Sequence, residues 1–110
     1  MTIWYDICAF DDVPRLGART VRIGTRELAI FRTADDAVFA LENKCPHKGG
    51  PLSEGIVHGR KVACPLHNWV IDLESGRATG ADEGCAEEFP VAIEAGRVRL
   101  ALPPEAAAAE

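Results

Sequence analysis

Two short segments, each pairing a cysteine with a histidine, constrain this chain more than any other feature of its sequence. They read Cys45-Pro46-His47 and Cys64-Pro65-Leu66-His67, and residues 48–63 separate them. Together they offer two thiolates and two imidazoles, which suit either a tetrahedral zinc ion or a two-iron cluster with both cysteines on one iron and both histidines on the other. Zinc sites usually use Cys-x₂₋₄-Cys and His-x₃₋₅-His pairs, so these mixed pairs fit zinc poorly. A third interpretation is that the four residues serve packing alone.

The size and charge of the chain limit its organisation and its partners. With 110 residues it has the length of one domain, and its formal net charge of −5 argues against a nucleic-acid or anionic-membrane partner. Its first residues lack the basic and apolar regions of a signal peptide, and no apolar run is long enough to span a bilayer. We therefore expect a cytoplasmic protein with one domain over residues 1–102 and a disordered tail over residues 103–110.

Short apolar or alternating runs, bounded by Gly, Pro, Asp or Asn, recur along the chain and predict β-strands. Glu94-Ala95-Gly96-Arg97 predicts a hairpin turn with positive φ at Gly96, and residues 71–77 predict a second turn. Apolar spacing of three and four residues never persists long enough for a long helix. The sequence predicts an all-β domain of small antiparallel sheets, with strands in residues 3–10, 20–23, 28–33, 37–41, 61–64, 70–73, 89–93 and 97–102.

The two Cys-His segments, with the glycines that follow the first of them, resemble the Rieske [2Fe–2S] family, and the similarity covers residues 3–102. The resemblance implies a cluster-binding subdomain of two loops at the tip of the domain. It assigns Cys45 and Cys64 to the buried iron and His47 and His67 to the outer iron. Histidine ligation raises the reduction potential of such a cluster relative to ligation by four thiolates. Because a single cluster passes one electron at a time, the implied role is electron transfer.

Four stretches, residues 45–53, 55–59, 64–69 and 80–85, together resemble the small subunit of assimilatory NAD(P)H-dependent nitrite reductase. The implied partner is a large subunit that carries FAD, a [4Fe–4S] cluster and sirohaem and reduces nitrite to ammonium. This chain would be the non-catalytic electron-transfer subunit, since it has no Gly-x-Gly-x-x-Gly nucleotide fingerprint. The alternative is a free Rieske ferredoxin that serves a ring-hydroxylating dioxygenase, although such ferredoxins more often have Gly where this chain has Asn68.

The remaining candidate residues receive structural interpretations. Cys8 and Cys85 are expected to be small buried packing residues, because free cysteine is commonly buried. His58 is expected in a surface turn rather than as a further ligand, and Trp69 is expected to pack beneath the cluster. The predicted docking rim for a redox partner consists of Pro46, Lys48, Leu52, Pro65 and Leu66.

Overall fold

A computed structural model of the chain describes residues 3–23, 26–44, 51–64, 69–78, 84 and 86–102. These residues form β-strands and two short 3₁₀ helices, Phe10–Asp12 and Leu52–Glu54, and none of them is α-helical, which confirms the predicted all-β class. No helix in this part of the chain has the length and apolar character needed to cross a membrane. The strands in chain order are β1 (Ile3–Ala9), β2 (Gly17–Ile23), β3 (Arg26–Arg32), β4 (Val38–Glu42), β5 (Ile56–His58), β6 (Lys61–Ala63), β7 (Val70–Asp72), β8 (Glu88–Phe89), β9 (Val91–Glu94) and β10 (Arg97–Leu102).

A central sheet of four antiparallel strands, in the order β2-β3-β4-β8, separates two hydrophobic cores. Within β3, Leu28, Ala29, Ile30 and Phe31 are all fully buried. Because side chains alternate across a strand, Leu28 and Ile30 enter one core whereas Ala29 and Phe31 enter the other. The continuous apolar run of β3 therefore reflects a sheet that is packed on both faces.

An outer sheet, in the order β1-β10-β9, covers one face of the central sheet. Val98, Leu100 and Leu102 alternate along β10 and pack against Leu28 and Ile30 of the central sheet. Residues at every second position of β10 thus supply the outer core.

A small sheet, in the order β5-β6-β7, covers the other face. Its inward residues Val57, Val62 and Ile71 pack against Phe31 and Leu41 of the central sheet. Register pairs Val57 with Val62 and Val62 with Ile71, so the three side chains lie in one row across the sheet. Cys64, the residue after β6, belongs to the same core as this row.

Both predicted turns are confirmed. Glu94 pairs with Arg97 across a two-residue turn in which Gly96 has a φ of 75° and Ala95 a φ of 51°. The second turn follows β7, has a φ of 76° at Gly76, and returns the chain to pair Ala78 with Ile71.

The predicted strands differ from the structure at β5 and at Pro90. Strand β5 was not predicted, because only three residues lie between Gly55 and Gly59 and they show little pattern. The predicted strand over residues 89–93 is interrupted at Pro90, which has no backbone N–H for a sheet ladder. The chain changes sheets at this proline: β8 pairs with β4 in the central sheet, and β9 pairs with β10 in the outer sheet.

Candidate metal centre

Cys64 is the predicted ligand that the structure describes, and it follows the last residue of β6 directly. Its side chain is a free thiol with only 1% of its surface exposed, and it belongs to the core between the central and small sheets. Cys45, His47 and His67 lie outside the described residues. Among the residues that the structure does describe, no group of three or more His, Cys, Asp or Glu side chains lies close enough to hold a metal.

The base of the second ligand loop is closed by a backbone hydrogen bond. The N–H of Cys64 donates to the carbonyl of Trp69 at 2.7 Å, immediately before β7 begins at Val70. Trp69 is partly buried and packs against the core that contains Cys64. Its expected position beneath the cluster stays a prediction. Strands β6 and β7, which flank residues 64–69, are adjacent in the small sheet.

The base of the first ligand loop is closed by the side chain of Asn43. This residue lies two positions before Cys45, and its Oδ1 accepts a hydrogen bond from the backbone N–H of Ser53 at 2.8 Å. Its Nδ2 donates to Glu27 Oε2 at 2.8 Å, and its own N–H donates to the Glu27 carbonyl at 2.9 Å. Asn43 therefore joins the chain on both sides of residues 45–50 to the start of β3.

The bases of the two loops are in direct contact at Gly55. A Cβ atom placed on Gly55 would lie 2.2 Å from the carbonyl oxygen of Ala63, the residue before Cys64. Leu52, in the 3₁₀ helix that follows the first loop, is fully buried in the same core as Cys64. The segment that follows the first loop thus lies directly against the residue that precedes Cys64, and a residue larger than glycine has no space at this contact.

These features fit a [2Fe–2S] centre. A thiolate ligand must be supplied by a cysteine that is not in a disulfide, and Cys64 is such a cysteine. Its burial, with 1% of its surface exposed, is compatible with the inner-iron position that the resemblance implies for the cysteines.

Three charged side chains next to the first loop, Arg26, Glu42 and Glu87, form ion pairs with one another. Arg26, the first residue of β3, donates to Glu42 Oε2 at 3.3 Å and also to the Glu87 carboxylate, and its guanidinium lies over the ring of Phe89. The hydrogen bond to Glu87 is the main cause that raises the pKa of Arg26 above its ordinary value. An adjacent open groove of about 500 Å³ is lined by both signs of charge, so its lining gives no preference for an anion or a cation.

The other predicted residues have mixed outcomes. Cys8 is buried in the outer core as expected, and burial raises the pKa of its thiol. His58 is exposed as expected, but it ends β5 rather than lying in the turn, which consists of Gly59 and Arg60. Leu52 was wrongly placed in the docking rim, because it is fully buried. Cys85 and the other four rim residues, Pro46, Lys48, Pro65 and Leu66, lie outside the described residues.

Asn43 and Gly55 are structural residues of the site that sequence reasoning did not identify. The available signal for Asn43 was an amide side chain, able both to donate and to accept, two positions before a predicted ligand. The sequence gives a weaker signal for Gly55. Its φ of −80° is accessible to every residue, and glycine is needed there only because of the contact with Ala63 at the end of β6.

Comparisons with known proteins agree with this geometry. The chain matches the family model of the Rieske [2Fe–2S] domain over residues 3–91. The ferredoxin component of the naphthalene 1,2-dioxygenase system of Pseudomonas aeruginosa is 32% identical over 100 residues, which cover 90% of this chain and 95% of the relative. The ferredoxin component of the 2,4-dinitrotoluene dioxygenase system of a Burkholderia species is 34% identical over 101 residues, with the same coverage of 90% and 95%.

Solved structures of two kinds share the fold. A Mycobacterium tuberculosis protein assigned as an NADH-dependent nitrite reductase small subunit superposes with a TM-score of 0.84 at 25% identity, over 94% of this chain and 97% of the other. A chain in the complex of reduced oxygenase and oxidized ferredoxin of carbazole 1,9a-dioxygenase superposes with a TM-score of 0.80 at 31% identity, over 90% and 93%.

Proposed function

Since the chain belongs to the Rieske [2Fe–2S] domain family and accordingly binds a [2Fe–2S] cluster, we propose that it transfers single electrons as the small subunit of an NAD(P)H-dependent nitrite reductase. The observation that carries the electron-transfer role is the buried free thiol of Cys64 at the contact between the two loop bases. The bound cluster supplies a reversible one-electron couple, and the protein supplies its ligands and its burial.

The proposed ligands are Cys45, His47, Cys64 and His67. Burial of Cys64 and closure of its loop on Trp69 support this set, because they hold the thiol where solvent cannot compete for the metal.

A cysteine pair within the chain gives a matched test of this ligand set. Cys64→Ser should abolish the iron content and the EPR signal of the reduced protein, whereas Cys8→Ser should retain both, although both thiols are free and buried. Iron and acid-labile sulfide per chain are the measurement. Retention of a full cluster by Cys64→Ser would contradict the ligand set, and loss of the cluster in both variants would attribute the effect to core disruption.

Support for the nitrite reductase role comes from the overall structure and from local sequence. The superposition on the Mycobacterium tuberculosis protein spans nearly the whole of both chains. The stretch over residues 80–85 and the Asn68 that follows the second histidine resemble the small-subunit family. In this role the partner is a large subunit that contains FAD, a [4Fe–4S] cluster and sirohaem.

A second candidate function is favoured by sequence identity. The curated relatives described above are ferredoxin components of dioxygenase systems, with identities of 32% and 34% over nearly their whole length. In that role the chain would be a free carrier that passes electrons from a reductase to an oxygenase.

Reconstitution distinguishes the two roles. Purified holoprotein is combined in one assay with a nitrite reductase large subunit and NADH or NADPH, and in a parallel assay with a ferredoxin reductase and a ring-hydroxylating oxygenase. The proposal predicts nitrite consumption that depends on this chain and is lost with Cys64→Ser. Nitrite consumption that is independent of the chain, together with chain-dependent oxygenase turnover, would replace the proposal by the ferredoxin role.

A further inference from the structure

We propose that Asn43 is a positioning residue that fixes the first ligand loop, and that its pairing with Glu27 controls how firmly the cluster is held. The inference rests on the proposed ligand set, because Cys45 and His47 lie in the segment that Asn43 closes. Asn43 and Ser53 lie on either side of residues 44–52, and their hydrogen bond of 2.8 Å connects the entry and exit of this loop.

Asn43 is suited to this position because its amide both accepts and donates. The Oδ1 accepts from Ser53, and the Nδ2 donates to the carboxylate of Glu27. The side chain is only 9% exposed, so water has little access to replace either bond. An aspartate at position 43 would keep the bond from Ser53, but it would place two carboxylates against each other.

Glu27 connects this contact to the body of the domain. It lies in β3, next to the buried run that contributes to both cores. Its backbone carbonyl also accepts from the Asn43 N–H, and no side-chain substitution removes that bond. Among the described residues, Asn43 is therefore tied to Glu27 by a backbone bond and also by a side-chain relay that runs from Glu27 through Asn43 to Ser53. Side-chain substitutions can alter the relay and leave the backbone bond in place.

The relay has two arms, the bond from Asn43 to Glu27 and the bond from Ser53 to Asn43, and three variants separate their effects. Asn43→Ala removes both arms. Asn43→Asp removes the Glu27 arm and keeps the Ser53 arm. The double variant Asn43→Asp, Glu27→Gln restores the arm between positions 27 and 43, because a glutamine amide can donate to an aspartate at position 43. The total charge of the pair also returns to that of the wild type.

Thr33→Ala is the matched control. Thr33 is 1% exposed and lies in the turn at the other end of the β3-β4 hairpin, where its hydroxyl accepts from the Ala37 N–H at 3.0 Å. This variant also removes a buried side-chain hydrogen bond from the hairpin, but the bond is not part of either loop base.

The test measures the rate at which a chelator removes iron from holoprotein, together with the EPR line shape of the reduced protein and its thermal midpoint. Asn43→Ala and Asn43→Asp should release iron roughly tenfold faster than the wild type and show broadened EPR lines. The double variant should return to within about twofold of the wild type. Thr33→Ala should lower the thermal midpoint while its iron release and EPR lines stay unchanged.

Wild-type rates in Asn43→Ala, equal acceleration in Thr33→Ala, or a double variant no slower than Asn43→Asp would each overturn the proposal. If Asn43→Ala does not fold, the comparison of Asn43→Asp with the double variant decides. Failure of the ligand set is distinguishable, because it would show as a full cluster in Cys64→Ser, whereas failure of this inference leaves that result intact and changes only the iron-release comparison.

Discussion

At the scale of single residues, the β9-β10 turn has glycine at one of its two central positions and alanine at the other. The β9-β10 turn has positive φ at both central residues, 51° at Ala95 and 75° at Gly96. Two-residue hairpin turns of this kind favour Asn-Gly, because asparagine tolerates the left-handed region better than alanine. Ala95 is therefore in a conformation that its side chain disfavours.

Replacing Ala95 by asparagine should increase the free energy of unfolding by about 0.5–1 kcal/mol, since it relieves this strain. Urea unfolding followed by circular dichroism is the measurement. Ala95→Val is the opposing control and should destabilise, because a β-branched side chain is still less compatible with positive φ. An asparagine variant that is less stable than the wild type would contradict the turn geometry.

At the scale of secondary-structure elements, the close approach of two loop bases sets the shape of the candidate centre. The 3₁₀ helix Leu52–Glu54 ends at Gly55, whose N–H donates to the Leu52 carbonyl at 2.9 Å. Gly55 then lies against the Ala63 carbonyl at the end of β6, with no space for a Cβ atom. The helix and the strand can meet this closely only through a glycine.

Gly55→Ala should therefore separate the two loops, destabilise the domain by about 1–3 kcal/mol, and lower the iron content of the purified protein. Gly59→Ala is the control in the same hairpin, since a Cβ there meets no atom within 4 Å although φ is +57°. That variant should lose some stability through backbone strain and keep its iron. Equal iron loss in both variants, or none in Gly55→Ala, would contradict the role assigned to this contact.

Sequence patterns predicted these elements to different degrees. The strand over residues 97–102 and the turn before it were predicted correctly, because alternation and an Ala-Gly turn are local signals. The exposure assigned to Leu52 was wrong because its 3₁₀ helix packs against β2 and β3 of the central sheet, which are distant from it in sequence. Asn43 was missed for the same reason, since its partners Glu27 and Ser53 are distant in sequence. Local sequence patterns therefore predicted strands and turns, but they did not predict contacts between segments that are distant in sequence.

At the scale of the whole molecule, the described residues form three sheets that enclose two separate cores. The outer and central sheets enclose a core that contains Cys8, and the central and small sheets enclose a second core that contains Cys64. The two cysteines thus have similar burial but different surroundings, and only Cys64 adjoins the loop bases. A domain with this arrangement can hold a cluster at one end and use its other sheets for stability.

The proposed centre is a two-iron cluster with two thiolates on one iron and two imidazoles on the other. Mössbauer spectroscopy of isotopically enriched protein, reduced by one electron, reports the ligation of each iron separately. We expect two inequivalent irons, one ferric with sulfur ligation and one ferrous with nitrogen ligation, because the added electron goes to the iron with the less negative ligands. Two equivalent irons, or a protein that holds zinc and no iron, would contradict this ligand arrangement.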